Sequence, residues 1–171
     1  MEKTITALEE LLKKEKNNAE LWFKLGYAYF QEGNLTEAIK AYEQGLEINS
    51  NNAIYWHNLG YLYYESENEK KSIECLQKAI DLNPKLAMAW TELSSVYVDS
   101  GDFDRAINAS KRAIELDSKD DIAWTNLGSA YYNKKEYAQA IHALNKALKL
   151  KPNLKFAKKI LKLAQEEHTN K

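Results

Sequence analysis

The sequence predicts an all-α solenoid built from pairs of antiparallel helices, and three observations carry that prediction. The stretch AIYWHNLGYLYY at Ala53–Tyr64 returns as AELWFKLGYAYF at Ala19–Phe30, AMAWTELSSVYV at Ala87–Val98 and DIAWTNLGSAYY at Asp121–Tyr132, a 34-residue period without a slip. A fixed period of this size marks stacked repeats rather than a globule closed around one core. Each period holds two stretches with the apolar spacing of an amphipathic helix. Small residues also recur at fixed points of both stretches, as close helix crossing requires.

Taken in order, residues 2–16 form an N-terminal helix with Ile5, Leu8, Leu11 and Leu12 on its apolar stripe and Glu9, Glu10, Lys13 and Lys14 opposite. In the repeat register Thr4, Leu8 and Leu11 correspond to Ala38, Tyr42 and Gly45, so this segment reads as the second helix of a half-repeat, and the array is expected to begin here. Four full repeats follow at 19–52, 53–86, 87–120 and 121–154, then a capping helix at 155–168, all within a single domain spanning 1–171. In the first repeat, Ala19–Glu32 is apolar at Leu21, Trp22, Leu25, Ala28 and Tyr29 and stops at Gly33, which adopts positive φ at low cost. Asn34 is a natural N-cap, and Glu37 three residues on gives capping-box spacing. The second helix, Leu35–Ile48, turns Ala38, Ile39, Tyr42 and Leu46 inward. Pro84 and Pro152 stand just past second helices, where a missing N–H is harmless.

The repeats share residue types as well as spacing. Trp22, Trp56, Trp90 and Trp124 hold the fourth position, Leu25, Leu59, Leu93 and Leu127 the seventh, and Tyr29, Tyr63, Tyr97 and Tyr131 the eleventh. The eighth is always small (Gly26, Gly60, Ser94, Gly128), as is the twentieth (Ala38, Ser72, Ala106, Ala140). Trp, Leu-Gly, Tyr, Ala, aromatic, Ala and Pro at these offsets resemble the tetratricopeptide repeat over residues 19–152. That resemblance implies a right-handed superhelix of antiparallel helix pairs, with the first helix of each pair lining a concave groove. Departures are local. Gly45 replaces the usual Ala at the twenty-seventh position, at a cost of about 1 kcal/mol in helix propensity. Ser110 replaces a large apolar residue at the twenty-fourth, which predicts looser packing there, and Ser50 and Ser118 replace the proline. In the last helix, Leu154, Ala157, Leu161 and Ala164 form the docking stripe, while the Trp, Gly and Tyr positions have become Lys158, Lys162 and Gln165. Such an outer face favours water and cannot receive another repeat, which makes this the solenoid cap.

Composition narrows the function classes. The chain has 171 residues, formal net charge −1 and a single cysteine, Cys75, so no intramolecular disulfide can form. The opening residues lack the apolar run and cleavage site of a signal peptide, and no window approaches a membrane span. A cytoplasmic location is expected. His57, His142 and His168 are far apart, with no HExxH, phosphate loop or nucleophile elbow, so neither metal, cofactor nor enzymatic role is expected. Cys75, beside the core position Leu76, reads as a partly covered surface thiol. Residues 1–120 carry net charge −7 and residues 121–171 net +6, giving a basic end suited to steering an acidic partner. The lysines there alternate with Glu136, Glu166 and Glu167, and with pI 6.3 nucleic acid is not the expected partner.

The expected function is a protein-interaction scaffold or adaptor that holds a peptide or helix of a partner in its groove. In the tetratricopeptide geometry positions two, five, six, nine and twelve of each first helix face that groove. They supply Phe23, Tyr27, His57, Asn58, Tyr61, Met88, Glu92, Ile122 and Asn126 as the partner-binding set, with Phe30, Tyr64 and Tyr132 set aside as packing residues. Of these, Phe23, Tyr27, His57 and Tyr61 carry most weight, because aromatic side chains give large contact area at small entropy cost and these positions are not expected to be needed for helix packing. The family's clamp for a terminal carboxylate is not expected. Its five positions here read Phe23, Tyr27, Asn58, Met88 and Glu92 in one frame, with only Asn58 matching, and Glu92 would repel the carboxylate. Phe156, Ile160 and Leu163 on the cap form a second candidate contact. Two competing readings are self-assembly through the ends or the cap, and a secretion or assembly chaperone using the same groove.

Overall fold

The computed structural model describes residues 2–169, and among them every regular element is an α-helix. They are α1 (Glu2–Lys14), α2 (Ala19–Gln31), α3 (Leu35–Ile48), α4 (Ala53–Glu65), α5 (Glu69–Leu82), α6 (Ala87–Asp99), α7 (Phe103–Leu116), α8 (Asp121–Asn133), α9 (Tyr137–Leu150) and α10 (Lys155–Thr169). The chain divides into two compact units, Met1–Pro84 and Lys85–Lys171. In the first, α2 pairs with α3 and α4 with α5, and α1 packs on α2. In the second, α6 pairs with α7 and α8 with α9, and α10 closes on α8 and α9.

Within every pair the turn has one construction. The residue two places beyond the first helix lies in the left-handed region at Gly33 (φ 76°), Glu67 (φ 60°), Gly101 (φ 78°) and Lys135 (φ 62°). The next N–H returns to the tyrosine carbonyl five residues back, from Asn34 to Tyr29, Asn68 to Tyr63, Asp102 to Tyr97 and Glu136 to Tyr131. This is the Schellman closure of a helix end, and two of its four left-handed positions are not glycine. Three of the four second helices then start on side-chain caps: Asn34 accepts from the Glu37 N–H, Asn68 from Lys71 and Asp102 from Arg105, whereas Glu136 makes no such bond at the start of α9. Only half of the expected capping box forms at Asn34, since the Glu37 carboxylate engages Lys40 at 2.7 Å instead.

The recurrent tryptophan does more than fill space. Its indole N–H donates to a carbonyl of the connection six residues earlier, from Trp22 to Lys16 (2.9 Å), Trp56 to Ser50 (2.8 Å) and Trp124 to Ser118 (3.0 Å). In these three pairs the fourth-position residue therefore ties the helix pair to the connection that enters it.

Helices cross where the small residues stand. A Cβ on Gly26 would meet the Tyr42 ring at 2.6 Å, on Gly60 Leu76 Cγ at 2.8 Å, and on Gly128 Leu144 Cγ at 2.5 Å. The eighth-position glycine thus seats the large residue at position twenty-four of its partner helix. In the third pair the corresponding residues are Ser94 and Ser110, and both are fully buried. Here a larger eighth residue meets a smaller twenty-fourth, and the Ser110 hydroxyl is buried without a hydrogen-bond partner among the described residues. The α1 stripe also needs correction. Leu12 is buried and Ile5 and Leu8 are half-buried, whereas Leu11 is exposed. Cys75 is likewise not a surface thiol: it is buried in the core with Tyr42, Leu46, Leu59 and Tyr63. Burial pushes its pKa up to about 12, so it is protonated and unreactive near neutral pH.

Candidate protein-binding surface

In the first unit the surface is built on α2 and α4 and floored by α3. Phe23 is 3% exposed and stacks on Tyr55 with ring centroids 3.5 Å apart, with Tyr42 beyond at 5.8 Å. Its ring lies where a Cβ on Gly45 would stand, at 2.4 Å. His57 is 9% exposed: Nδ1 faces Asn58 Oδ1 at 3.2 Å, Asn58 Nδ2 donates to the Tyr42 hydroxyl at 3.2 Å, and His57 Nε2 is buried without a partner. Burial lowers the His57 pKa, outweighing the Asn58 contact that raises it, so the ring is neutral. With an oxygen facing it, Nδ1 carries the hydrogen.

These placements correct one premise of the sequence reading. Phe23 and His57 are packing residues, because the aromatic neighbours that make them attractive as ligand contacts also enclose them. The free side chain is Tyr27, 57% exposed. Beside it Tyr61 meets Phe30 edge-on, at 5.8 Å and 87°. Tyr27, Phe30, Tyr42, His57, Asn58, Tyr61 and Leu62 enclose a pocket of about 100 Å³. A more open one of about 450 Å³ adjoins it, bounded by Glu20, Lys24, Tyr55 and, from α1, Thr4 and Leu8. The sequence reading missed Tyr42 and Tyr55. Tyr42 sits at a core position of α3, yet its hydroxyl reaches Asn58, while Tyr55 donates to Glu20 at 2.8 Å, and burial with that bond raises its pKa to about 12.

In the second unit the middle of the corresponding face is filled by small polar side chains that bond to one another. Asn126 donates to Ser94 (2.8 Å) and Ser95 (2.9 Å), and Thr91 donates to Asp120 at 2.5 Å. Asn126 is therefore engaged in joining α8 to α6, and Glu92 is half-buried. Met88 and Ile122 remain 51% exposed. On α10 Phe156 is 54% exposed, with Ile160 and Leu163 half-buried. Among the described residues no cluster of metal-ligating side chains occurs, and no helix is long and apolar enough to cross a membrane.

Tandem helix pairs with small-residue crossings, Trp22, Trp56 and Trp124 tied to their connections and aromatic residues on the first-helix face define a helical-repeat protein of the solenoid class. The chain belongs to the tetratricopeptide repeat family, and over residues 1–170 it matches the family described as the Cilia and flagella-associated protein 70 C-terminal domain. Solved structures agree. MamA superposes with a TM-score of 0.83 at 30% identity, over 86% of each chain. YrrB, a TPR protein with an unusual peptide-binding site, gives 0.84 at 23% identity, over 94% of this chain and 83% of its own. The C-terminal part of a TPR repeat-containing protein from Cytophaga hutchinsonii gives 0.81 at 22%, over 97% and 66%. No curated protein matches the chain. Tetratricopeptide repeat proteins are generally non-catalytic interaction modules, and the fold suggests a protein–protein interaction scaffold.

Proposed function

We propose that the protein is an adaptor whose aromatic face on α2 and α4 holds an extended or helical segment of a partner protein. The observation that carries this reading is Tyr27, more than half exposed on a face where Phe30 and Tyr61 wall an apolar pocket. An exposed tyrosine beside a preformed aromatic slot is the arrangement that concentrates binding energy at interfaces. Asn58 lies at the same slot to bond the ligand backbone, while Phe23, Tyr42 and His57 hold the walls in place. YrrB, with its peptide-binding site on the same fold, supports a peptide ligand.

The test is enrichment of partners on the wild-type chain beside Tyr27→Ala with Tyr61→Ala, followed by titration of any protein recovered. Both side chains are outside the buried core, so helicity by circular dichroism is retained. At roughly 1–2 kcal/mol for each ring, affinity falls about a hundredfold. Unchanged affinity in the double variant sinks the aromatic-face reading.

A further inference from the structure

The second unit ends in a surface that the aromatic reading does not use. Helix α10 is seated by Ala157 and Ala164, both fully buried, with Leu161 half-buried beside them. One residue earlier at each point, Phe156, Ile160 and Leu163 form a second apolar stripe at i, i+4 and i+7, along the edge of the buried face. Phe156 is its most open member, and Ile122 stands just as open at the equivalent position of α8, which α10 contacts. One residue earlier again, Lys155, Lys159 and Lys162 run alongside with the same spacing, all exposed.

The lysine row is largely unneutralised. Lys162 reaches Glu166 at 3.8 Å, and among the described residues Lys155, Lys158 and Lys159 have no ion-pair partner. An apolar stripe about 10 Å long with unneutralised cations on its outer side is half of an amphipathic helix–helix contact. The complement is a helix with apolar residues at the same spacing and carboxylates on the facing flank. A bilayer is a poorer match, because Ile160 and Leu163 are half covered by their own fold and leave little area to insert.

We propose that the edge of α10 docks an acidic amphipathic helix of a partner protein, with apolar packing on Phe156, Ile160 and Leu163 and carboxylates on Lys155, Lys159 and Lys162. The site shares no residue with the aromatic face and does not rest on it.

The probes are two synthetic helical peptides with leucine at i, i+4 and i+7, one with glutamates on the flanks and one with lysines, titrated by fluorescence anisotropy against the full chain. The acidic peptide binds, more weakly in high salt, and the lysine peptide does not. Phe156→Ala with Leu163→Ala weakens binding at least ~tenfold. Reversing the row (Lys155→Glu, Lys159→Glu, Lys162→Glu) transfers the preference to the lysine peptide, a gain that a misfolded variant cannot produce. The variant Tyr27→Ala with Tyr61→Ala binds the acidic peptide as wild type does. The proposal is overturned by equal binding of both peptides or of neither, by an unchanged preference after charge reversal, or by loss of binding in the tyrosine variant. Partition onto phosphatidylserine vesicles without peptide binding, or a doubled mass in light scattering that excludes the peptide, also overturns it in favour of a membrane or a second copy.

Discussion

Replacing Gly45 with alanine should destabilise the protein, although helix propensity alone predicts the opposite. Gly45 lies within α3, where alanine is favoured over glycine by about 1 kcal/mol. The added Cβ, however, would stand 2.4 Å from Phe23 Cε1, 2.7 Å from Cδ1 and 2.9 Å from Cζ. Those atoms belong to a ring that is 3% exposed and stacked on Tyr55, so it has no free direction in which to move. Overpacking of this kind costs about 1–3 kcal/mol, leaving a net loss of up to about 2 kcal/mol. The assay is urea unfolding followed by far-UV circular dichroism, analysed with nearest-neighbour coupling between helix pairs because repeat arrays need not unfold in one step. In a Phe23→Ala background the ring is gone, and Gly45→Ala should instead stabilise by about 1 kcal/mol. The sign reversal is the diagnostic, and the double-mutant cycle isolates the contact. An equal rise in midpoint in both backgrounds would refute the reasoning, because the ring would then not occupy the space that glycine leaves.

Ser110→Leu should cost about 1–3 kcal/mol alone and much less with Ser94→Gly, because the pair would then reproduce the glycine–leucine crossing of Gly128 with Leu144; denaturation midpoints of the three variants decide it. Glu67→Gly and Lys135→Gly should each raise stability by about 0.5–1 kcal/mol, measured by the same unfolding, since each relieves a left-handed backbone that glycine adopts freely. His57 predicts a pH effect. Its folded pKa lies below the ordinary 6.5, so the unfolded chain takes up a proton that the folded state does not; the stability involved is intact above about pH 6.5 and is lost as pH falls from there toward the folded pKa. His57→Phe should flatten that part of the curve of midpoint against pH.

Much of the fold was legible because the signal was repeated. Four copies of Trp, Leu, small and Tyr in phase fix where helices begin, cross and end, and the helices start at 19, 53, 87, 121 and 155 as the period demands. What was hidden involved pairs rather than positions. Leu11 satisfies the helical stripe of α1, but a narrow contact uses only the centre of that stripe, and Leu12 takes it. Glu67 and Lys135 carry no turn signal of their own, and the closure imposes left-handed φ on them all the same. His57 and Phe23 look like ligand groups from their types, and only the rings packed around them show that they support the surface.

Comparison of the four copies with one another carries information that any single copy lacks. Position five reads Phe23, His57, Thr91 and Thr125, while position twenty-seven reads Gly45, Ala79, Ala113 and Ala147. The largest member of the first series faces the only glycine of the second, as the largest member of the eighth series, Ser94, is paired with the smallest of the twenty-fourth, Ser110. Gly45, taken alone, is a weak point in a helix. Taken with Phe23 it is the space that admits an aromatic ring into the crossing, with Tyr55 stacked upon it and Tyr42 against it. Burying that ring offsets the glycine's helix cost, and the same ring supports Tyr42, whose hydroxyl accepts from Asn58 at the edge of the pocket where Tyr27 stands. The departure from the family pattern and the candidate binding face are therefore one feature, and substitution at Gly45 should disturb the ligand slot before it unfolds the helix.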